Sequence, residues 1–115
     1  MSADCLFCKI AAGQIPSKQV YSDNDIFAFR DIGPQAPTHV LVIPRRHIAT
    51  LNDVTPPDEA LLGKLVRTAA DIARAEKIEQ AGYRLVSNCN AEGGQSVFHI
   101  HIHLLGGRRM NWPPG

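Results

Sequence analysis

No stretch of this sequence is apolar for long enough to supply the roughly 20 residues that a membrane-spanning helix needs. Aromatic residues are scarce at 6%, with a single tryptophan, and cysteine occurs only three times. So few thiols, odd in number, argue against a disulfide framework and for a reducing compartment, so a cytoplasmic protein is expected. The opening residues, MSADCLFCKIAAGQ, lack the basic start and apolar core of a secretory signal. Surplus charge is missing too: 12 Lys+Arg stand against 11 Asp+Glu, for a net +1. Nothing in that balance favours a nucleic acid polymer. Repeats and low-complexity tracts are absent, and 115 residues leave room for one domain spanning 1–115. A chain this short buries a modest share of its surface, so a partner subunit would help it.

What is present reads as an α+β chain. Cys5 to Ala12 predicts a short helix closed by Gly13, and Gln19 to Tyr21 and Ile26 to Arg30 predict two strands. The turn-forming Ser22-Asp23-Asn24-Asp25 joins them as a hairpin. Thr38 to Ile43 reads as a buried strand stopped by Pro44. The longest helix is expected from Pro56 to about Glu76, with Thr55 as N-cap and Pro56 at N1. Its apolar stripe is Leu61, Leu65, Ala69 and Ile72 with Leu62, Val66 and Ala73. Tyr83 to Asn88 predicts a strand, Cys89 to Gln95 a loop, and Val97 to Leu105 the last strand. A mainly antiparallel sheet with one long helix packed on it is the expected architecture.

Three of the five histidines fall in His99-Ile100-His101-Ile102-His103-Leu104-Leu105. On a strand His99, His101 and His103 share one face, leaving Ile100, Ile102 and Leu104 to bury against the helix. Imidazole titrates near 6.5, so one neutral ring can attack an electrophile while a neighbour handles a proton. A lone strand histidine is ordinarily a hydrogen-bonded structural residue, and three in register weaken that reading. Alternating histidines can equally present ligands to a catalytic zinc. Just upstream, Gly93 and Gly94 let backbone approach a phosphate, with Gln95 and Ser96 able to bond its oxygens or a leaving group.

The run Gly93-Gly94-Gln95-Ser96-Val97-Phe98-His99-Ile100-His101-Ile102-His103-Leu104-Leu105-Gly106-Gly107-Arg108 resembles the signature of the histidine-triad (HIT) superfamily, nearest its histidine triad nucleotide-binding branch. The likeness extends to Phe29-Arg30-Asp31-Ile32, to Pro34 through Pro44, and to Trp112-Pro113-Pro114-Gly115. It implies a HIT-like α+β subunit and a homodimer with one continuous sheet. It also implies hydrolysis of P–N bonds in purine nucleoside phosphoramidates, with no cofactor for catalysis. Carried over, His101 is the nucleophile, forming a nucleotidyl-histidine intermediate. His103 and His39 orient groups or shuttle protons, Ser96 meets the leaving amine, and the His99 carbonyl fixes the His101 tautomer. Asp31 takes the ribose hydroxyls, and Phe7, Ile10, Ile15 and Ile32 form an apolar slot for the base. Asn88, Gln95 and the Val97 backbone hold the phosphate and sugar.

Cys5 and Cys8 form a CxxC pair, weak alone, and His47 and His99 complete a Cys2His2 set suited to a structural zinc. The resemblance implies such a zinc in bacterial-type members. It also favours a dimer contact for the tail around Trp112, reaching toward the partner's site. Cys89 departs from the residue usual after Asn88. Two other functions remain on the residues: a nucleotide-binding regulatory module with little turnover, and a dinucleoside polyphosphate hydrolase. The paired His101 and His103 speak against the first, the short chain and Trp-Pro-Pro-Gly tail against the second.

Overall fold

Five antiparallel strands in the order β1-β2-β3-β5-β4 form the sheet in the computed structural model, which describes residues 4–115. They are β1 (Gln19–Ser22), β2 (Ile26–Arg30), β3 (Thr38–Pro44), β4 (Tyr83–Val86) and β5 (Ile102–Gly106). The helices are α1 (Leu6–Ala11), α2 (Glu59–Ala75) and a single turn, α3 (Asn90–Gly93). The α+β reading and the hairpin between β1 and β2 are as the sequence predicted.

Alternation along the central strands divides the core into two layers. Val40, Val42, Ile102 and Leu104 face α2, where Leu65, Ala69, Ile72 and Ala73 meet them. Phe27, Phe29, Leu41 and Ile43 face the other way, under Phe7 and Ile10 of α1. Both faces of β3 are therefore covered, which explains its unbroken apolar run. Thr68 joins the buried side of α2, whereas Val66 stands 47% exposed and lies off the stripe the periodicity suggested.

The turn α3 falls where a loop was expected, and three boundaries differ from expectation by more than one residue. Pro56–Asp58 forms a 3-10 turn, and α2 begins only at Glu59. Each proline disfavours the α conformation of the residue before it, here Thr55 and Pro56, and the Asp58 carboxylate ties the turn by accepting from the Thr55 N–H (2.9 Å) and hydroxyl (3.1 Å). The strand predicted to reach Asn88 stops at Val86.

The last strand starts at Ile102, five residues later than expected. Its register sets Val42 opposite Ile102, so two more residues would bring Pro44 opposite Ile100. Pro44 has no N–H for that ladder, and its carbonyl is taken by His99 Nε2 at 2.7 Å. Ile100 instead donates its N–H to the Ile48 carbonyl at 2.8 Å. His99 and His101 thus sit on an irregular lead-in, and only His103 lies within the strand.

Candidate active site

The three imidazoles of that lead-in and strand nevertheless all lie on the α1 side of the sheet. Phe7 of α1 meets the His101 ring edge-on at 5.0 Å and the His99 ring at 6.0 Å. His101 and His103 rings stand 5.0 Å apart. β3 brings a fourth ring, His39, whose Nε2 lies 2.9 Å from His103 Nδ1.

Backbone contacts assign the protons. His101 Nδ1 is 2.7 Å from the His99 carbonyl, which can only accept. The ring therefore donates from Nδ1, and its Nε2 carries the free lone pair. His39 Nδ1 accepts the Gln35 N–H at 3.0 Å, so the neutral ring has its proton on Nε2 and donates it to His103 Nδ1. His103 in turn keeps its proton on Nε2. The site thus holds one nucleophilic nitrogen beside a hydrogen-bonded pair that ends in a donor.

Burial lowers the affinity of these rings for a second proton. Desolvation holds His39 and His101 below the ordinary imidazole value, partly countered by Asp31 in both and by the His99 carbonyl in His101. His103 falls furthest, to about 4, through burial first and then the neighbouring His101 and His39. Shifts in that direction favour the neutral rings near pH 7, as a nitrogen nucleophile requires.

Beside His39 opens a cleft of about 600 Å³ lined by Ile10, Phe29, Asp31, Ile32 and Pro37 among others. Asp31 accepts the Gly33 N–H at 2.7 Å through one oxygen and sets the other 3.6 Å from His39 Nε2. Ile32 is wholly exposed, on the rim. Of the slot expected for a base, Ile10 and Ile32 line this cleft. Phe7 is buried beneath His101 and against Phe29, and Ile15 borders a neighbouring hollow. Phe29, Ser17 and Lys18 also line the cleft and had been given no role. The residues of Phe29-Arg30-Asp31-Ile32 were the available signal for the first.

Gln95 is 7% exposed, and its side chain is engaged with backbone. Its amide donates to the carbonyls of Ala49 (2.8 Å) and Val97 (3.1 Å), and its oxygen accepts the Asn90 N–H (2.8 Å). It shapes the loop between β4 and β5. Ser96 is exposed at the end of that loop, with Asn88 and Val97 half-buried. Gly94, at φ +84°, closes α3 over the Asn88 amide, a conformation that disfavours a side chain.

Cys5, Cys8, His47 and His99 converge under α1, their donor atoms all within 4.8 Å of one another. His99 Nδ1 is 3.3 Å from Cys5 Sγ, 3.5 Å from Cys8 Sγ and 3.3 Å from His47 Nδ1. Tetrahedral zinc, with bonds of about 2.0 to 2.3 Å, spaces nitrogen and sulfur donors by roughly 3.3 to 3.8 Å. Donation from His99 Nε2 to Pro44 leaves Nδ1 bare, as a ligand must be. The four residues fit the ion.

Asp31, His39 and His103 also bring donors within 4.8 Å. There the Gln35 N–H keeps the proton on His39 Nε2, and a protonated nitrogen does not bind metal. Within that trio His39 and His103 are hydrogen-bonded to each other, and Asp31 stands 3.6 Å from His39 Nε2 as a nearby charge.

Residues 12–110 match the HIT domain family. The chain is 53% identical over 110 residues to the purine nucleoside phosphoramidase of Escherichia coli K12, covering 96% of this chain and 92% of that one. It is 51% identical over 115 residues to an uncharacterised HIT-like protein of Synechococcus elongatus, covering both in full. A solved HIT family hydrolase from Legionella pneumophila superposes with a TM-score of 0.96 at 59% identity, covering 97% of this chain and 100% of that one.

Proposed function

This chain belongs to the HIT domain family, and from that premise we propose that it is a purine nucleoside phosphoramidase, hydrolysing the P–N bond of AMP or GMP joined to an amine. The observation that carries the reading is the tautomer of His101, whose Nδ1–H is spent on the His99 carbonyl so that Nε2 is free to attack. In the first step Nε2 bonds to phosphorus and the P–N bond breaks. The departing nitrogen takes up a solvent proton relayed through the His39–His103 pair, which is neutral before and after, with the Ser96 hydroxyl at the leaving amine. Water then attacks the phosphorus of the nucleotidyl-histidine, the bond from phosphorus to His101 Nε2 breaks, the water's proton leaves by the same relay, and the nucleoside monophosphate is released. Binding would set the purine among Ile10, Phe29 and Ile32, the ribose hydroxyls on Asp31, and the phosphate by Asn88, Ser96 and the Val97 backbone. Phe7 would back the nucleophile, Ile15 would border the slot, and Gln95 would act by holding the loop.

Cys5, Cys8, His47 and His99 would hold a structural zinc that cross-links α1 to the segments on either side. The thiols it needs agree with a reducing, cytoplasmic setting. A homodimer is supported by the open edge of β4, where a second copy could extend the sheet. Arg84 of β4 donates to the Asn111 carbonyl at 2.8 Å, and that contact anchors the tail bearing the exposed Trp112 beside that edge. The other partners are purine nucleoside monophosphate derivatives. No helix among the described residues is long and apolar enough to cross a membrane.

Incubation with an adenosine 5′-phosphoramidate beside a diadenosine polyphosphate tests the activity. Rapid P–N cleavage is expected, with His101→Ala lowering it by several orders of magnitude. Near-normal turnover by that variant, or a trapped nucleotide on another residue, would refute the mechanism.

A further inference from the structure

Gly107 and Arg108 follow β5 directly and have no part in the chemistry above. Both press on the loop that joins β2 to β3. Arg108 Nε donates to the Gln35 carbonyl at 2.9 Å. Gly107 lies so close that a Cβ there would come 2.8 Å from Cβ of Pro37, and its φ of +92° suits only glycine well. Between Pro34 and Pro37 only Gln35 and Ala36 carry an amide hydrogen. Gln35 spends its own on His39 Nδ1, and its side chain ties back to the Gly33 carbonyl at 3.0 Å. The backbone of Gln35 is thus gripped at both ends, by His39 on one side and Arg108 on the other.

We propose that Arg108 is a positioning residue for proton transfer: by clamping Gln35 it holds the N–H that fixes the tautomer of His39, and through it that of His103. The reasoning is a donor–acceptor chain. With the Gln35 N–H in place, His39 cannot carry a proton on Nδ1 without setting N–H against N–H. Its proton stays on Nε2 and points at His103 Nδ1, so His103 keeps its own on Nε2. If the loop slackens, His39 can take the opposite tautomer. The pair then meets lone pair to lone pair unless His103 moves its proton from Nε2 to Nδ1, which removes the donor the leaving group needs. This consequence for turnover rests on the phosphoramidase reading, whereas the tautomer claim stands apart from it.

Two variants separate the donor from the rest of the side chain. Arg108→Gln keeps an N–H at the same bond distance from Cα as arginine Nε, without the charge. Arg108→Met keeps the stem and removes the donor. Imidazole nitrogen shifts from 15N-labelled protein report the tautomers directly. Wild type should show bare Nδ1 and protonated Nε2 for both His39 and His103. Arg108→Met should show mixed tautomers and a kcat on adenosine 5′-phosphoramidate lower by about tenfold, with KM within about twofold. Arg108→Gln should restore both readings at an unchanged melting temperature. Gly107→Ala, which loads Pro37 from the same side, should also mix the tautomers. An unaltered nitrogen pattern in Arg108→Met overturns the proposal, as does equal loss in Met and Gln. A wild-type protein that leaves the phosphoramidate intact sinks the proposed activity instead, and the nitrogen shifts still decide the clamp.

Discussion

Lowering the pH from 7.5 to 5 is expected to cost the fold about 2 kcal/mol through His103 alone. In the unfolded chain an imidazole titrates near 6.5. In the folded protein burial, then the rings of His101 and His39, hold His103 down to about 4, against an opposing pull from Asp31. Above about pH 6.5 neither state binds the proton, and the shift costs nothing. Between 6.5 and 4 the unfolded chain takes up a proton that the native ring refuses. Stability then falls by about 1.4 kcal/mol per pH unit, which over the 1.5 units down to pH 5 makes about 2 kcal/mol. Below about 4 both states are protonated and the loss levels off. His39 is shifted downward too, so it adds to the slope in the same direction. Two kcal/mol is a large part of the roughly 5 to 15 kcal/mol that holds a domain together. The assay is urea unfolding at several pH values for wild type and His103→Asn. The asparagine oxygen can replace Nδ1 as acceptor for His39 without titrating. The variant should lose stability more shallowly, by about 1.4 kcal/mol per pH unit near pH 5.5. Parallel slopes for the two proteins would refute the reasoning.

Elemental analysis of protein purified without a metal-affinity tag should find about one zinc per subunit. Cys5→Ser should lose it and unfold at lower denaturant, and a metal-free preparation of full stability would exclude the structural ion. Deleting Asn111 to Gly115 should change which amines are accepted more than it changes the melting temperature. Unchanged kinetics across a series of phosphoramidates would count against a tail that reaches the partner's site.

Alternation and periodicity made much of this fold legible, because both express which side of a local element meets apolar neighbours. Leu65, Ala69, Ile72 and Ala73 on α2, and Ile102 and Leu104 on β5, are buried where their spacing put them. The start of β5 was misread because alternation in the His-x-His run continues beyond the hydrogen-bonded ladder. The amide missing from Pro44, a residue 58 positions before Ile102, decides where the ladder ends. Phe7 shows a second limit. Composition marks it as apolar, but whether it faces a cleft or the underside of His101 depends on how α1 crosses the sheet.

The sequence by itself determined the five strands and the long helix in outline, the apolar and imidazole sides of the final segment, and the residue types able to attack phosphorus or hold a metal. Only the tertiary structure decided who meets whom. It brought His39 to His103 across 64 residues and Cys5 to His99 across 94. It also settled which nitrogen of each ring bears the proton, because that depends on single carbonyls and amides from His99, Gln35 and Pro44. A residue's chemistry is intrinsic to its side chain, whereas its protonation and its partner follow from the burial and hydrogen bonds that folding assembles.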